Sequence, residues 1–393
     1  MNEMLLLCGP RQVGKTFIAK QWLRHTQHEA LYFNWDDEKV RRDFRKNPHF
    51  FESEARQHGK GSHIVFDEIH KLPKWKTLLK GYYDTFSPDF HFLVTGSARL
   101  ELFQKAGDSL LGRYHLLHLY PLNPQETSRK KVFLNEAWIQ KNAYLEMFEK
   151  KPLEMEGIHA LLQYSGFPAP FLRASERALN LWHREYRSRL LHEDLRDLTR
   201  IMDLNRMEHL FDLLPSKIGS PLSFNSLRED LLCSHDAVGS MLYALERLSI
   251  LFFVRPYSRR IQNSIKKEPK VYFFDWTQVK EPGTRFENFM AVQLKSWCDF
   301  MNDGGWANME LFYLRDKQKR EVDFLILRGA KPFLLVEVKL SSNKDFPKSL
   351  DYFSTALGSP PSFCVTLSPG VFSKSAKDKW LISANRFFNL LWC

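Results

Sequence analysis

Cysteine is scarce and scattered. Cys8, Cys233, Cys298, Cys364 and Cys393 are odd in number, and none belongs to a C-x-x-C pair or a Cys/His cluster. The sequence therefore offers no disulfide framework and no zinc-ligand spacing, which fits a reducing cytoplasm. Long apolar runs are also lacking. Nothing approaches the ~18 residues of a membrane span, and Leu5-Leu6-Leu7, just after Glu3, is too short for a signal-peptide core. No internal repeat and no low-complexity segment is present. What remains is a chain of 393 residues, 44% hydrophobic and 26% charged, long enough for two or three globular domains. Aromatics reach 14%, with 32 Phe, and read as core packing rather than as a base-stacking surface. The net charge of +11 favours an anionic partner, nucleic acid ahead of membrane.

Gly9-Pro10-Arg11-Gln12-Val13-Gly14-Lys15-Thr16 is a full G-x-x-x-x-G-K-[ST] phosphate loop. An apolar run, Met4 to Cys8, leads into it and a helix-compatible stretch, Phe17 to His25, follows, which is the context that gives the pattern meaning. The glycines let backbone N–H groups point at phosphate oxygens, and the following helix N-terminus adds its partial positive charge. Lys15 can reach the β- and γ-phosphates, and the Thr16 hydroxyl can ligate magnesium. Downstream, His63-Ile64-Val65-Phe66 reads as a short buried strand ending in Asp67-Glu68. Asp67 can hold the magnesium and Glu68 can polarise the attacking water. Alone, an apolar run ending in Asp-Glu is a common strand exit. Paired with the loop, it points to nucleotide hydrolysis rather than binding alone. A third strand, Phe92-Leu93-Val94-Thr95, ends in Gly96-Ser97, where a hydroxyl can sense the γ-phosphate. Strand carboxyl ends gather along one edge of an open α/β sheet, so the three segments are expected to converge.

Strand signals at Met4–Cys8, Ala30–Asn34, His63–Phe66, Phe92–Thr95 and Tyr114–Leu119, alternating with helical ones, predict a mostly parallel, helix-covered sheet over residues 1–125. Residues 126–215 read as helical, broken once at Gly166-Phe167-Pro168-Ala169-Pro170, with Arg184 to Arg200 as a solvated amphipathic helix. Residues 216–258 give a short helix (Ser226 to Leu232), a second helix capped by Ser234 and running to Leu248, and a strand (Ile250 to Val254), the layout of a winged helix-turn-helix. Arg255 to Lys270 then holds six basic residues against one acidic, a stretch suited to resting on DNA phosphates or to solvation as a plain loop. Residues 259–393 are mixed α/β. A helix (Arg285 to Trp297) carries Glu287, and strands are expected at Leu311–Leu314, Glu321–Leu327, Phe333–Leu340 and Ser362–Leu367, with a helix at Phe346–Ala356.

A second constellation lies here. Asp323 falls in one strand, Glu337 and Lys339 in the next, and the two-residue spacing puts Glu337 and Lys339 on one face. With Glu287 adding a third carboxylate, the set can bind magnesium for phosphodiester hydrolysis, or be a cross-strand ion pair on a wetted sheet face.

The sequence resembles a prokaryotic AAA-type P-loop ATPase family with a C-terminal domain of unassigned function. The resemblance rests on Gly9 to Thr16, Phe66-Asp67-Glu68-Ile69, Thr95-Gly96-Ser97, Leu111-Gly112-Arg113 and Pro121-Leu122. It continues through Tyr164-Ser165-Gly166-Phe167-Pro168, Leu195-Arg196-Asp197-Leu198, Arg285-Phe286-Glu287-Asn288-Phe289, Glu321-Val322-Asp323-Phe324 and Val336-Glu337-Val338-Lys339. It implies an α/β multi-domain chain: an AAA-type parallel sheet, a helical lid or connector, a winged helix, and a fold like restriction endonucleases and Holliday-junction resolvases. It implies ATP and Mg2+ as ligands, with Lys15, Thr16, Asp67 and Glu68 at the ATP site and Thr95 or Ser97 as sensor. It offers Arg113 as an arginine finger, and Glu287, Asp323 and Glu337 as metal ligands beside Lys339. One departure is the start, eight residues before Gly9, where the family has a further segment that helps enclose the adenine. The expectation is a cytoplasmic ATP hydrolase acting on DNA, with homo-oligomerisation left open. An ATP-gated protein scaffold with an inactive nuclease fold and an ATP-dependent transcription regulator are the alternatives.

Overall fold

A computed structural model describes residues 3–28, 31–96, 110, 112–128, 151–195, 203–258, 268–341, 345–376 and 378–391. The chain divides into two compact units, Met1–Tyr120 with Arg247–Ser249, and Pro121–Glu246 with Ile250–Cys393.

The first unit alternates strand and helix: β1 (Met4–Cys8), α1 (Lys15–Thr26), β2 (Tyr32–Asn34), α2 (Glu38–Lys46), α3 (Glu52–Gln57), β3 (Ser62–Asp67), α4 (Trp75–Phe86), β4 (Phe90–Thr95) and β5 (Tyr114–His118). The strands form one parallel sheet in the order β2-β3-β4-β1-β5. Both faces are covered, and the side-chain alternation of each strand sorts residues between them. Met4, Leu6 and Cys8 join Phe66, Phe92, Val94, Leu79, Tyr82 and Phe86 in an aromatic-rich core. Leu7, Val65 and Leu93 face the other way, against Ala19 and Leu23 of α1. Phenylalanine dominates this core: Phe51 alone has rings of Phe66, Tyr82, Phe86, Phe90 and Phe92 within 6.5 Å. Because β4 lies between β1 and β3, its carboxyl end separates the phosphate loop from Asp67.

The second unit opens with helices α5 (Pro124–Thr127), α6 (Met155–Tyr164), α7 (Pro168–Arg173), α8 (Glu176–Arg189) and α9 (Leu204–Leu213). Two short helices, α10 (Phe224–Asp230) and α11 (His235–Arg247), then lead into β6 (Leu251–Pro256) and β7 (Lys270–Phe273), which pair antiparallel. Ser223 and Ser234 hydroxyls accept from Ser226 and Ala237 N–H, so each of the two helices starts at a serine. There follow α12 (Pro282–Asp303), β8 (Met309–Arg315), β9 (Glu321–Arg328), β10 (Lys331–Lys339), α13 (Lys348–Ala356), β11 (Ser362–Thr366), β12 (Phe372–Ala376), β13 (Lys379–Ser383) and α14 (Ala384–Leu391). The sheet is eight-stranded and mixed, ordered β12-β13-β11-β10-β9-β8-β6-β7.

The motif Tyr164-Ser165-Gly166-Phe167-Pro168 has a packing role. Ser165 takes a positive φ of 73° and donates to buried Asp275 at 2.7 Å, where His183 and Thr277 also converge. A Cβ on Gly166 would stand 2.5 Å from the Trp276 ring, so only glycine fits.

Candidate functional site

The loop from Gly9 to Gly14 turns the chain from β1 into α1. Gly9 has a φ of 142°, and a Cβ there would lie 2.1 Å from the Leu119 carbonyl oxygen; Gly14, with a φ of 111°, starts the helix. Lys15 is buried and its Nζ donates to the carbonyls of Gly9 (3.0 Å) and Pro10 (2.7 Å), closing the loop on itself. Burial lowers the Lys15 pKa, against the opposing pull of Glu68, Cys8 and Asp67.

Asp67 is the hub. Its Oδ2 accepts from the Thr16 hydroxyl at 2.8 Å and from the Tyr32 hydroxyl at 2.5 Å, and its Oδ1 accepts from Thr95. Burial, reinforced by the hydrogen bond to Asp67, pushes the Tyr32 phenol well up, so the hydroxyl stays a donor. The sheet register aligns Asn34, Asp67 and Thr95 side by side at the strand ends. Glu68 follows in a left-handed conformation, φ 58° and ψ 25°, unusual for a residue with a Cβ. Its N–H donates to the Thr95 carbonyl at 3.0 Å. Its carboxylate lies 3.5 Å from His70 Nε2 and 3.9 Å from Lys71 Nζ. Burial raises the Glu68 pKa, and Lys71 opposes this. These residues fit a magnesium nucleotide: a hydroxyl and a carboxylate meet beside a lysine, under a loop whose first position excludes any side chain. Arg11, Gln12 and Val13 complete the loop.

The second unit holds a denser charge cluster. Lys270, on β7, has a fully buried side chain whose Nζ lies 2.7 Å from Glu321, 3.2 Å from Glu287 and 3.5 Å from Asp323. Tyr272, two residues on, donates its hydroxyl to Glu287 at 2.7 Å. Arg315 pairs with Glu321 at 3.1 Å, and Lys339 with Glu337 at 2.7 Å. Val336 pairs with Phe324 across β9 and β10, so the next antiparallel pair is Glu337 opposite Asp323, on one face. Asp323 Oδ2 is taken by the Val338 N–H at 2.8 Å. Burial, then repulsion from Asp323, drives both Glu287 and Glu337 above the usual carboxylate range.

Residues 1–128 match the AAA domain family, residues 155–277 a domain of unknown function (DUF8612), and residues 282–387 a domain of unknown function (DUF4143). The chain carries an N-terminal AAA domain. An uncharacterized protein of Methanocaldococcus jannaschii is 24% identical over 357 residues, covering 88% of this chain and 77% of its own length. An uncharacterized protein of Mycobacterium tuberculosis is 22% identical over 363 residues, covering 88% and 72%. Among solved structures, the Aeropyrum pernix Orc1 protein in complex with DNA has a TM-score of 0.29 at 16% identity, covering 74% of this chain and 88% of that one. Caenorhabditis elegans PCH-2 has a TM-score of 0.29 at 14% identity, covering 48% and 62%. Likenesses at that score carry no argument about this chain. No helix among the described residues is long and apolar enough to cross a membrane.

Within the AAA domain, Lys15, Thr16, Asp67, Glu68 and Thr95 come together. Ser97 lies outside the described residues, as do Leu111 and residues 196–198. Arg113 is placed elsewhere: it precedes β5, its carbonyl accepts from the Met4 N–H, and its guanidinium holds Asp84 at 2.7 Å. Since β5 runs parallel to β1, a residue before β5 lies where β1 begins, the edge opposite the loop that β1 ends in. Arg113 therefore does not serve the nucleotide site of its own domain. In the DUF4143 domain, Glu287, Asp323, Glu337 and Lys339 gather in one region, yet Lys270 stands among the carboxylates. Among the described residues no group of three His, Cys, Asp or Glu side chains is arranged to hold a metal ion. Sequence reasoning missed Tyr32, Lys270 and Glu321. For Lys270 the available signal was a lone lysine heading an apolar run, Val271-Tyr272-Phe273-Phe274, which marks a strand.

Proposed function

We propose that this chain is a magnesium-dependent ATP hydrolase whose C-terminal region engages DNA. The observation that carries the ATPase part is the meeting of Thr16 and Asp67 beside Lys15. In this reading the loop N–H groups and Lys15 bind the phosphates, Thr16 and Asp67 hold magnesium, Thr95 keeps Asp67 aimed, and Glu68 takes the proton of the attacking water. Bound magnesium would supply charge neutralisation at the phosphates. The domain boundaries proposed are 1–125 for the ATPase core, 126–215 for the connector, 216–258 for a winged helix, and 259–393 for a nuclease-like fold. The order α10, α11, β6, β7 supports the winged-helix reading.

DNA engagement rests on the net charge and on the basic stretch from Arg255. It does not rest on α11. Its exposed positions, His235, Asp236, Ser240 and Tyr243, include no Lys or Arg, and Leu232 stands exposed just before it. That face favours a second reading, an ATP-gated scaffold with a protein partner. Titrating duplex and branched DNA against the full chain at rising salt tests the choice. A linear fall of log affinity with log salt supports phosphate contacts; no DNA binding at low salt supports the scaffold. ATP turnover with and without Mg2+ tests the hydrolase reading separately.

A further inference from the structure

We infer that Lys270 is the resident cation of the carboxylate cluster in the second unit, its ammonium standing where a divalent ion would otherwise sit, so that the cluster takes up no magnesium or manganese.

Four carboxylates, Glu287 on α12, Glu321 and Asp323 on β9, and Glu337 on β10, approach one another from three elements. Such a group either repels itself apart, takes up protons or holds a cation. Lys270 Nζ reaches three of them, at 2.7, 3.2 and 3.5 Å from Glu321, Glu287 and Asp323. A mobile surface lysine would yield its place to a metal. Lys270 has no such freedom: its side chain is 1% exposed, and its backbone is fixed by pairing with Val254 and by a bridge to Pro221. The ring of Tyr313 lies 5.6 Å from the ammonium on a further side. Glu321, Glu287 and Asp323 together offset the cost of burying this ammonium. Of the remaining carboxylate atoms, Asp323 Oδ2 is held by the Val338 N–H, Glu321 has Arg315, and Glu337 Oε1 has Lys339. Glu337 Oε2 is buried with no hydrogen-bond partner. A dication brought to Glu287 and Asp323 would meet a fixed ammonium bonded to the same oxygens, and the repulsion in a buried site is large. Metal-dependent strand cleavage then has no seat, while the fold can still bind a partner.

The test is Mn2+ binding to the full-length, nucleotide-free protein, followed by electron paramagnetic resonance. Lys270→Gln removes the charge and keeps most of the length. The expected result is no Asp323-dependent Mn2+ site in wild type, and one new site in Lys270→Gln, lost again on adding Asp323→Asn. A wild-type site abolished by Asp323→Asn would overturn the inference, as would a folded Lys270→Gln that gains no site. If Lys270→Gln fails to fold, the double variant Lys270→Gln/Asp323→Asn decides: recovery of folding supports a counter-ion role, and continued failure overturns it.

Discussion

Thr16 and Asp67, 51 positions apart, share a hydrogen bond of 2.8 Å across the carboxyl edge of the parallel sheet. Each alone is unremarkable, one a helix-start threonine and the other a strand-end aspartate. Together they bring the two halves of the proposed magnesium–phosphate site to one point, and the Tyr32 and Thr95 hydroxyls pin the aspartate from the flanking strands.

Lys15→Ala is expected to abolish tight ATP binding. In the closed loop Lys15 Nζ is satisfied by two carbonyls, which it must exchange for phosphate oxygens. A charged hydrogen bond contributes about 1.5–3 kcal/mol, equivalent to roughly 10- to 150-fold in affinity. Calorimetry showing unchanged ATP affinity in the variant would remove Lys15 from the site.

Glu68→Gln should retain ATP binding and lose most turnover. The amide keeps the shape and the left-handed backbone position but cannot accept a proton. Burial already raises the Glu68 pKa, which strengthens it as a base. The expected loss is about 10²–10⁴-fold in kcat. Wild-type turnover in purified Glu68→Gln would assign the base elsewhere.

The candidate nucleotide site is legible because its parts are local patterns. The loop is eight consecutive residues, and Asp67-Glu68 closes an apolar run whose burial as a strand follows from composition. What stayed hidden is what only pairing brings together. Tyr32 looks like an ordinary strand residue until β2 lies beside β3 and its hydroxyl meets Asp67. Lys270 read as the last member of a basic loop, yet it heads a buried strand, because three carboxylates from α12 and β9 offset its desolvation. The position of Arg113 stayed hidden for a related reason. A basic residue before a strand carries no sign of which sheet edge it occupies, and parallel pairing of β5 with β1 sends it away from the loop.

Tyr32→Phe isolates one of the hidden contacts. The ring, over which Lys20 Nζ sits at 4.6 Å, is preserved, and only the hydroxyl on Asp67 is lost. Groups that orient a metal ligand typically contribute 10- to 100-fold to metal affinity. With Thr16 and Thr95 still holding Asp67, about 10-fold is expected, read as a higher Mg2+ concentration for half-maximal ATP turnover. ATP affinity without Mg2+ should not change. An unaltered Mg2+ requirement would reduce Tyr32 to a packing residue.

A pH effect is expected from the opposite end of the same sheet. His28 Nδ1 accepts from the His63 backbone N–H at 3.2 Å, so that nitrogen is bare, and the His63 Nδ1 lying 3.2 Å from it must carry the proton. The Trp22 ring stands edge-on to His63 at 4.6 Å and the His91 ring lies 5.1 Å away. Burial, then His91 and His28, pushes the His63 pKa down to about 4. The unfolded chain takes up a proton here near the ordinary pKa of about 6.5, whereas the folded chain resists until about pH 4. Between those values the unfolded state binds more protons, so this site lowers stability as pH falls. In His63→Gln that contribution is absent. The difference in melting temperature, wild type minus variant, should therefore decline from pH 7 toward pH 4 and level off below. A difference that stays constant with pH would mean that His63 takes up its proton equally in both states, and that the paired imidazoles do not resist charging.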